Sequence, residues 1–218
     1  YTGFPELMEG RLKTLHPKIH GGILGRRNLD ESVMEEHSIE AIDIVAVNLY
    51  PFSATIARQD CTFDEAVENI DIGGPTMIRA AAKNHAAVAV ICDPMDYDSV
   101  AIELEELGSV SDELRYGLAT KAFGHTSKYD QAIYTYLNKS KIDSKELFPK
   151  ELSIDVSLNQ TLRYGENPHQ KAAFYKDKVV PKGSLASALQ VQGKELSYNN
   201  IADTDAALDV VRALQGPA

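Results

Sequence analysis

Two dense apolar runs constrain this chain more than anything else in it. Ile42-Asp43-Ile44-Val45-Ala46-Val47-Asn48-Leu49-Tyr50 is rich in β-branched residues and stops at Pro51, and Ala86-Ala87-Val88-Ala89-Val90-Ile91-Cys92 has the same character. Each reads as a strand buried on both faces. Between them, Thr62 to Ile70 carries Thr62 and Glu65 in capping-box register, and Gly74 to Asn84 has Pro75 near its start, so both stretches read as helices. Strand, helices, strand requires a crossover, and a crossover implies a parallel sheet.

Beyond the second run, Met95 to Leu107 has helical apolar spacing, and Ser111 to Asn138 gives a long helical region. It opens on Ser111-Asp112-Glu113-Leu114, in which the acid falls early for a capping box. Tyr129, Ile133, Tyr134 and Leu137 continue its apolar stripe and read as packing. Ser140 to Lys150 is polar, ends in Phe148-Pro149 and reads as a linker between a first domain, 1–139, and a second, 151–218. The second offers an alternating edge-type strand at Leu152, Ile154, Val156 and Leu158, loop-rich sequence to Ser197, and a helix from about Asp203 to Leu214. The fold class is therefore α/β in two parts. The chain opens on Tyr1 and closes on Gly216-Pro217-Ala218 after a helical pattern, which reads as a piece of a longer protein.

Of 218 residues, 44% are hydrophobic and 25% charged, enough to bury a real core. A formal net charge of -10 repels nucleic-acid backbones yet leaves room for a local cationic pocket that takes one phosphate group. The only cysteines, Cys61 and Cys92, form neither a disulfide framework nor a metal-ligand pattern, which fits a reducing cytoplasm. No signal peptide or membrane-length apolar run is present.

Against that charge, Gly10-Arg11-Leu12-Lys13-Thr14-Leu15-His16-Pro17-Lys18-Ile19-His20-Gly21-Gly22 gathers cations beside glycines. Glycine lets backbone amides approach an anion closely, so the segment points to an anionic ligand; the bland alternative is a solvated basic loop. His16 and His20 have the i, i+4 spacing of a zinc pair, but Pro17 and Gly21 are expected to spoil a helix there, and no acidic third ligand follows, so no metal is expected. Asn48 and Tyr50 stand at the carboxyl end of the first strand, where open parallel sheets place ligands, although Tyr50 could equally cover the core. In Asn69-Ile70-Asp71-Ile72-Gly73-Gly74-Pro75-Thr76, Asp71 or Gly74 could simply cap the following helix; the same turn leaves backbone N–H groups for an oxyanion or a purine carbonyl. Were Gly74 to Lys83 one straight helix, Lys83 would lie about 14 Å from its start, beyond easy pairing with Asp71, so either the segment bends or the lysine acts from a neighbouring element or subunit.

The strings Arg11-Leu12-Lys13-Thr14-Leu15-His16-Pro17, Asn48-Leu49-Tyr50-Pro51-Phe52, Glu68-Asn69-Ile70-Asp71-Ile72-Gly73-Gly74 and Ala81-Ala82-Lys83-Asn84-His85, in this order, resemble the cyclohydrolase half of the bifunctional formyltransferase/cyclohydrolase enzymes of de novo purine biosynthesis. The resemblance implies a methylglyoxal-synthase-like α/β domain in which Lys13, Tyr50, Asp71 and Lys83 serve dehydrative closure of formylated aminoimidazole carboxamide ribotide (FAICAR) to inosine monophosphate (IMP), without a cofactor. It implies that Arg11 and Thr14 hold the nucleotide phosphate and that Asn48, Ile72, Gly73 and Gly74 lie near the base. It also implies further phosphate-binding segments upstream of Tyr1, with Asp71 accepting the proton and Lys83 tuning it.

The segments 162–170, with Arg163 and Tyr164, and 190–203, with Asn200, resemble the entrance to the transformylase domain of the same enzymes. That domain is cytidine-deaminase-like in the family and passes a formyl group from 10-formyltetrahydrofolate to the unformylated ribotide (AICAR). By resemblance Arg163 contacts phosphate, Tyr164 stacks on a heterocycle and Asn200 bonds the carboxamide; a Gly/Asn/Pro turn at 163–170 and a capping role for Asp203 are the alternatives. The family's catalytic Lys-His pair is expected downstream of Ala218, so formyl transfer by this chain alone is not. The resemblance implies a cytoplasmic homodimer with small nucleotides as its partners. Two other readings stay open on the residues: a non-catalytic nucleotide-binding domain, which has no use for Asp71 and Lys83, and a fragment that mainly dimerises through 111–138.

Overall fold

The parallel pair forms, and it is shorter than the apolar runs that announce it. The computed structural model describes residues 1–141 and 154–216, and the chain divides into two compact units, Tyr1–Lys145 and Glu146–Ala218. The first runs α1 (Pro17–Leu24), α2 (Glu31–Glu36), β1 (Ile44–Ala46), α3 (Phe52–Ile56), α4 (Phe63–Glu68), α5 (Gly73–Lys83), β2 (Ala89–Ile91), α6 (Tyr97–Leu107) and α7 (Asp112–Lys141). β1 and β2 pair in parallel with Val45 opposite Val90. Two further bonds extend the ladder, Ala89 N–H to the Asp43 carbonyl and Val47 N–H to the Ile91 carbonyl, both 2.9 Å.

β2 is buried on both faces, as its composition demands, but β1 is not. Val45 is in the core while Ile44 on the opposite face is 42% exposed. Successive side chains in a strand alternate faces, so the face carrying Ile44 and Ala46 is only partly covered among the described residues. The expectation of a doubly buried first strand is corrected accordingly. The core gathers Ile23, Val45, Ile78, Val88 to Cys92, Val100 and Leu118 around Ala80, Ala81, Ala82 and Ala122. The alanines matter because α5 packs against both α7 and β2, and small side chains let helix axes approach closely.

Helix starts follow capping chemistry. Thr62 and Glu65 make the reciprocal capping box at α4. Ser111 caps α7 through its hydroxyl, which accepts from Leu114 N–H at 3.2 Å. The carboxylate that answers it is neither Asp112 nor Glu113 but Glu103 of α6, which accepts from Ser111 N–H and hydroxyl at 2.6 and 2.9 Å. Pro17 and Gly21, expected to prevent a helix, lie inside α1. Pro17 occupies its first turn, where no N–H is needed. Gly21 sits close against the Ile39 side chain, where a Cβ would meet Cδ1 at 2.9 Å.

The second unit pairs β3 (Val156–Leu162) antiparallel with β4 (Ala172–Asp177), followed by α8 (Tyr198–Ala213). β4 falls within sequence read as loop. β3 begins two residues after Ile154 and runs to Leu162, with an irregularity in register between Leu158 and Gln160. α8 starts at Tyr198 rather than near Asp203, because Ser197 and Asn200 form a capping box. Asp203 is thus interior to the helix and not its cap. α7 continues into the first residues of the expected linker; the rest of Ser140 to Lys150, and Leu152, lie outside the described residues.

Candidate functional site

Three loops converge on a cavity of about 500 Å³ in the first unit, within the usual range for small-molecule sites. The segment before α1 contributes Arg11, Lys13 and Thr14; the segment after β1 contributes Asn48 and Tyr50; the turn from α4 to α5 contributes Asp71, Ile72, Gly73 and Gly74. Nine residues singled out from the sequence therefore share one wall. Tyr50 is 56% exposed, so it does not cover the core. Phe52, two residues on, is the ring that does.

The Asp71 carboxylate is held from two sides. One oxygen accepts from Gly74 N–H at 2.8 Å, the other from Tyr50 N–H at 3.3 Å. The first bond caps α5, whose N-cap residue Ile72 supplies no side-chain cap, so the structural role offered for Asp71 is real and coexists with a place in the cavity wall. The glycines of this turn lie close against neighbouring side chains. A Cβ on Gly74 would stand 2.5 Å from Asp71 Oδ2 and 2.7 Å from Leu49 Cδ2, and one on Gly73 would run into the Thr14 hydroxyl.

The cations are engaged by acids that the sequence reading passed over. Arg11 lies 3.4 Å from Glu68 and Lys13 lies 3.1 Å from Glu6, and all four side chains are about half exposed or more. Pairs this exposed contribute about 0–1 kcal/mol, so a phosphate with its stronger charge-assisted bonds can displace them. His16 is committed elsewhere, its Nδ1 accepting from Lys18 N–H at 3.1 Å as the cap of α1. Among the described residues no cluster of three or more His, Cys, Asp or Glu is placed to hold a metal ion.

Lys83 is not brought to this cavity. α5 runs unbroken for 11 residues, about 15 Å at 1.5 Å per residue, so Lys83 stands at the opposite end from Asp71. It lines a separate hollow with Arg79, His85 and Phe123, where the Arg79 guanidinium sits 5.4 Å from the Phe123 ring centroid. A bend in the helix is thus ruled out as a route to Asp71.

In the second unit, Arg163 and Tyr164 meet the start of α8. Arg163 N–H donates to the Leu196 carbonyl and Tyr198 N–H to the Tyr164 carbonyl, each at 3.1 Å. The Arg163 guanidinium lies over the Tyr164 ring, 4.9 Å from its centroid, and donates to the phenol at 3.3 Å. Bonding to Ser197, and then Arg163 beside it, lowers the Tyr164 phenol below its ordinary pKa. Asn200 Oδ1 accepts from Ser197 N–H at 3.1 Å and from its hydroxyl at 3.0 Å, which leaves its amide NH₂ as the group that can reach a ligand.

Residues 81–218 match the family described as AICARFT/IMPCHase bienzyme. The chain belongs to that family. Residues 1–76 match the MGS-like domain, and every residue that we place on the cavity wall falls within that stretch. The crystal structure of ForH is similar at 36% identity with a TM-score of 0.54, over 64% of this chain and 73% of ForH. Membership of the bienzyme family gives the protein a role in purine biosynthesis. No helix among the described residues is long and apolar enough to cross a membrane.

One residue in contact with Asp71 is legible in the sequence only as packing. Tyr129 of α7, read as packing, accepts from Asp71 N–H at 2.8 Å and donates to the Asn69 carbonyl at 3.3 Å. Its spacing with Ile133 and Leu137 matches a core stripe, and only the fold shows where its hydroxyl ends.

Proposed function

We propose that residues 1–139 close the ring of FAICAR to IMP and that 151–218 begin the domain that transfers a formyl group from 10-formyltetrahydrofolate to AICAR, in a cytoplasmic homodimer. The observation that carries the first activity is a carboxylate, Asp71, fixed by two backbone N–H groups in the same cavity wall as Lys13 and Tyr50. Arg11 and Thr14 take the ribotide phosphate, and Asn48 with the turn at 72–74 receives the base. The carboxamide nitrogen attacks the formyl carbon, Asp71 accepts the proton that nitrogen loses, and Lys13 and Tyr50 stabilise the oxyanion forming on the formyl oxygen. The oxyanion takes up one proton to give a carbinolamine. Lys13 or Tyr50 then protonates its hydroxyl, the C–O bond breaks to release water, and the former formamide nitrogen gives up its N–H proton as the ring C=N bond forms. One water leaves for each IMP formed, and its two protons balance those lost by the two nitrogens. Lys83 acts from the neighbouring subunit, since its own α5 carries it away from Asp71. Arg163, Tyr164 and Asn200 bind the ribotide and folate side of the formyl transfer.

An ultraviolet time course of FAICAR with this chain tests the proposal: IMP accumulates in proportion to protein. Binding of IMP without turnover of FAICAR would sink the cyclohydrolase reading and favour a nucleotide-binding module. Gly74→Ala gives a sharper check. Alanine favours a helix by about 1 kcal/mol over glycine, yet its Cβ would displace the Asp71 carboxylate. We expect kcat/KM to fall about tenfold or more in steady-state kinetics, because misplacement of a reacting group by about 1 Å costs up to about 10²-fold; unchanged kinetics would contradict the role of this turn.

A further inference from the structure

Asp71 is fixed at three points, and only one of them acts on its main chain. The two bonds to Gly74 N–H and Tyr50 N–H hold the carboxylate. The third comes from Tyr129, 58 residues further along the sequence, whose hydroxyl accepts from Asp71 N–H at 2.8 Å and donates to the Asn69 carbonyl at 3.3 Å. One hydroxyl thereby satisfies a donor, Asp71 N–H, and an acceptor, the Asn69 carbonyl, of the short connection between α4 and α5. The ring that presents this hydroxyl is itself seated, packing edge-on against the buried Phe52 with centroids 6.3 Å apart. Burial, the largest influence, raises the Tyr129 phenol above its ordinary pKa of 10, so the hydroxyl keeps its proton and can donate and accept at once.

We propose that Tyr129 is a positioning residue for ring closure: its hydroxyl fixes the main chain at Asn69–Asp71 and thereby aims the Asp71 carboxylate into the cavity. The inference rests on the reading of Asp71 as the base. Tyr129 is not on the cavity wall and touches no reacting atom; its effect passes through Asp71 alone. Losing the hydroxyl leaves the ring packing intact and frees the connection to shift, which costs turnover rather than binding.

The test is Tyr129→Phe in the full chain, assayed with FAICAR and compared with Tyr136→Phe. Tyr136 packs edge-on against the same Phe52 at 5.7 Å between centroids and controls for loss of a hydroxyl from this aromatic cluster. Tyr129→Phe is expected to lower kcat about 10- to 100-fold with KM within about threefold, while Tyr136→Phe keeps both. In an Asp71→Asn background Tyr129→Phe should lower kcat no further, because the residue it positions has already lost its function. If Asp71→Asn is inactive and Tyr129→Phe turns over like wild type, the positioning role is overturned and the base stands. If Asp71→Asn itself turns over normally, the reading of the base fails and this inference with it. A loss in Tyr129→Phe that persists undiminished in the Asp71→Asn background overturns the positioning role in favour of a general structural one.

Discussion

Asp71→Asn is expected to lower kcat for ring closure by about 10³-fold while IMP affinity stays within about threefold. A positioned general base contributes roughly 10²–10⁴-fold, and 10³-fold corresponds to about 4 kcal/mol of barrier. The substitution is nearly isosteric, and the amide oxygen of asparagine can still accept from Gly74 N–H, the bond that caps α5. Its NH₂ must then face Tyr50 N–H, which loses its acceptor, a local cost of about 1 kcal/mol that leaves the fold intact. Asp71→Ala is the instructive contrast, since it removes the cap together with the base and should also reduce stability by about 1 kcal/mol. Initial rates with FAICAR, calorimetric titration with IMP and urea midpoints for the two variants separate these effects. An Asp71→Asn protein with wild-type turnover would remove the base from the mechanism and leave Asp71 as a helix cap.

What the sequence reveals of the fold is what one element determines by itself. β-branched density marks both strands of the parallel pair, and Thr62 and Glu65 mark the start of α4 without help from tertiary contacts. What it hides depends on partners. β1 keeps only three residues because the length of a strand is decided by its neighbours, and one face of β1 is only partly covered among the described residues. β4 is visible only through its pairing with β3, since its apolar residues follow a turn rich in Gly, Asn and Pro and are few. The capping box of α7 could not be completed by local reading because its acid comes from α6.

The same division holds at the site. Arg11, Tyr50 and Asp71 lie in separate segments and by residue type alone read as readily as a solvated cation, a core cover and a helix cap; the four ordered strings raise them to site candidates, and the end of β1 is where a ligand is expected in a parallel sheet. Charge partners are hidden: Glu6 and Glu68 are folded against Lys13 and Arg11, so any anion that binds these cations competes with two carboxylates. Lys83 is legible in the opposite sense: a straight helix from Gly74 already places it beyond easy pairing with Asp71, and α5 runs unbroken to it.

Phe52→Ala carries the largest expected effect on stability. Phe52 is 1% exposed and receives two aromatic edges, from Tyr129 at 6.3 Å and Tyr136 at 5.7 Å, which joins α3 to α7. Removing a buried phenyl ring costs about 3–5 kcal/mol, a large part of the roughly 5–15 kcal/mol that holds a domain together. The urea midpoint of the first unit, followed by near-ultraviolet circular dichroism of its tyrosines, should fall sharply with little change in slope. Phe52→Leu, which keeps most of the volume, should cost about 1–2 kcal/mol. Because Phe52 is also the seat of Tyr129, the alanine variant should lose turnover under conditions where it is still folded, while the leucine variant keeps most of it. A Phe52→Ala protein that unfolds at the wild-type midpoint would show that the α3–α7 contact is not what secures this end of the unit, and normal turnover in it would show that Tyr129 holds its place without that ring.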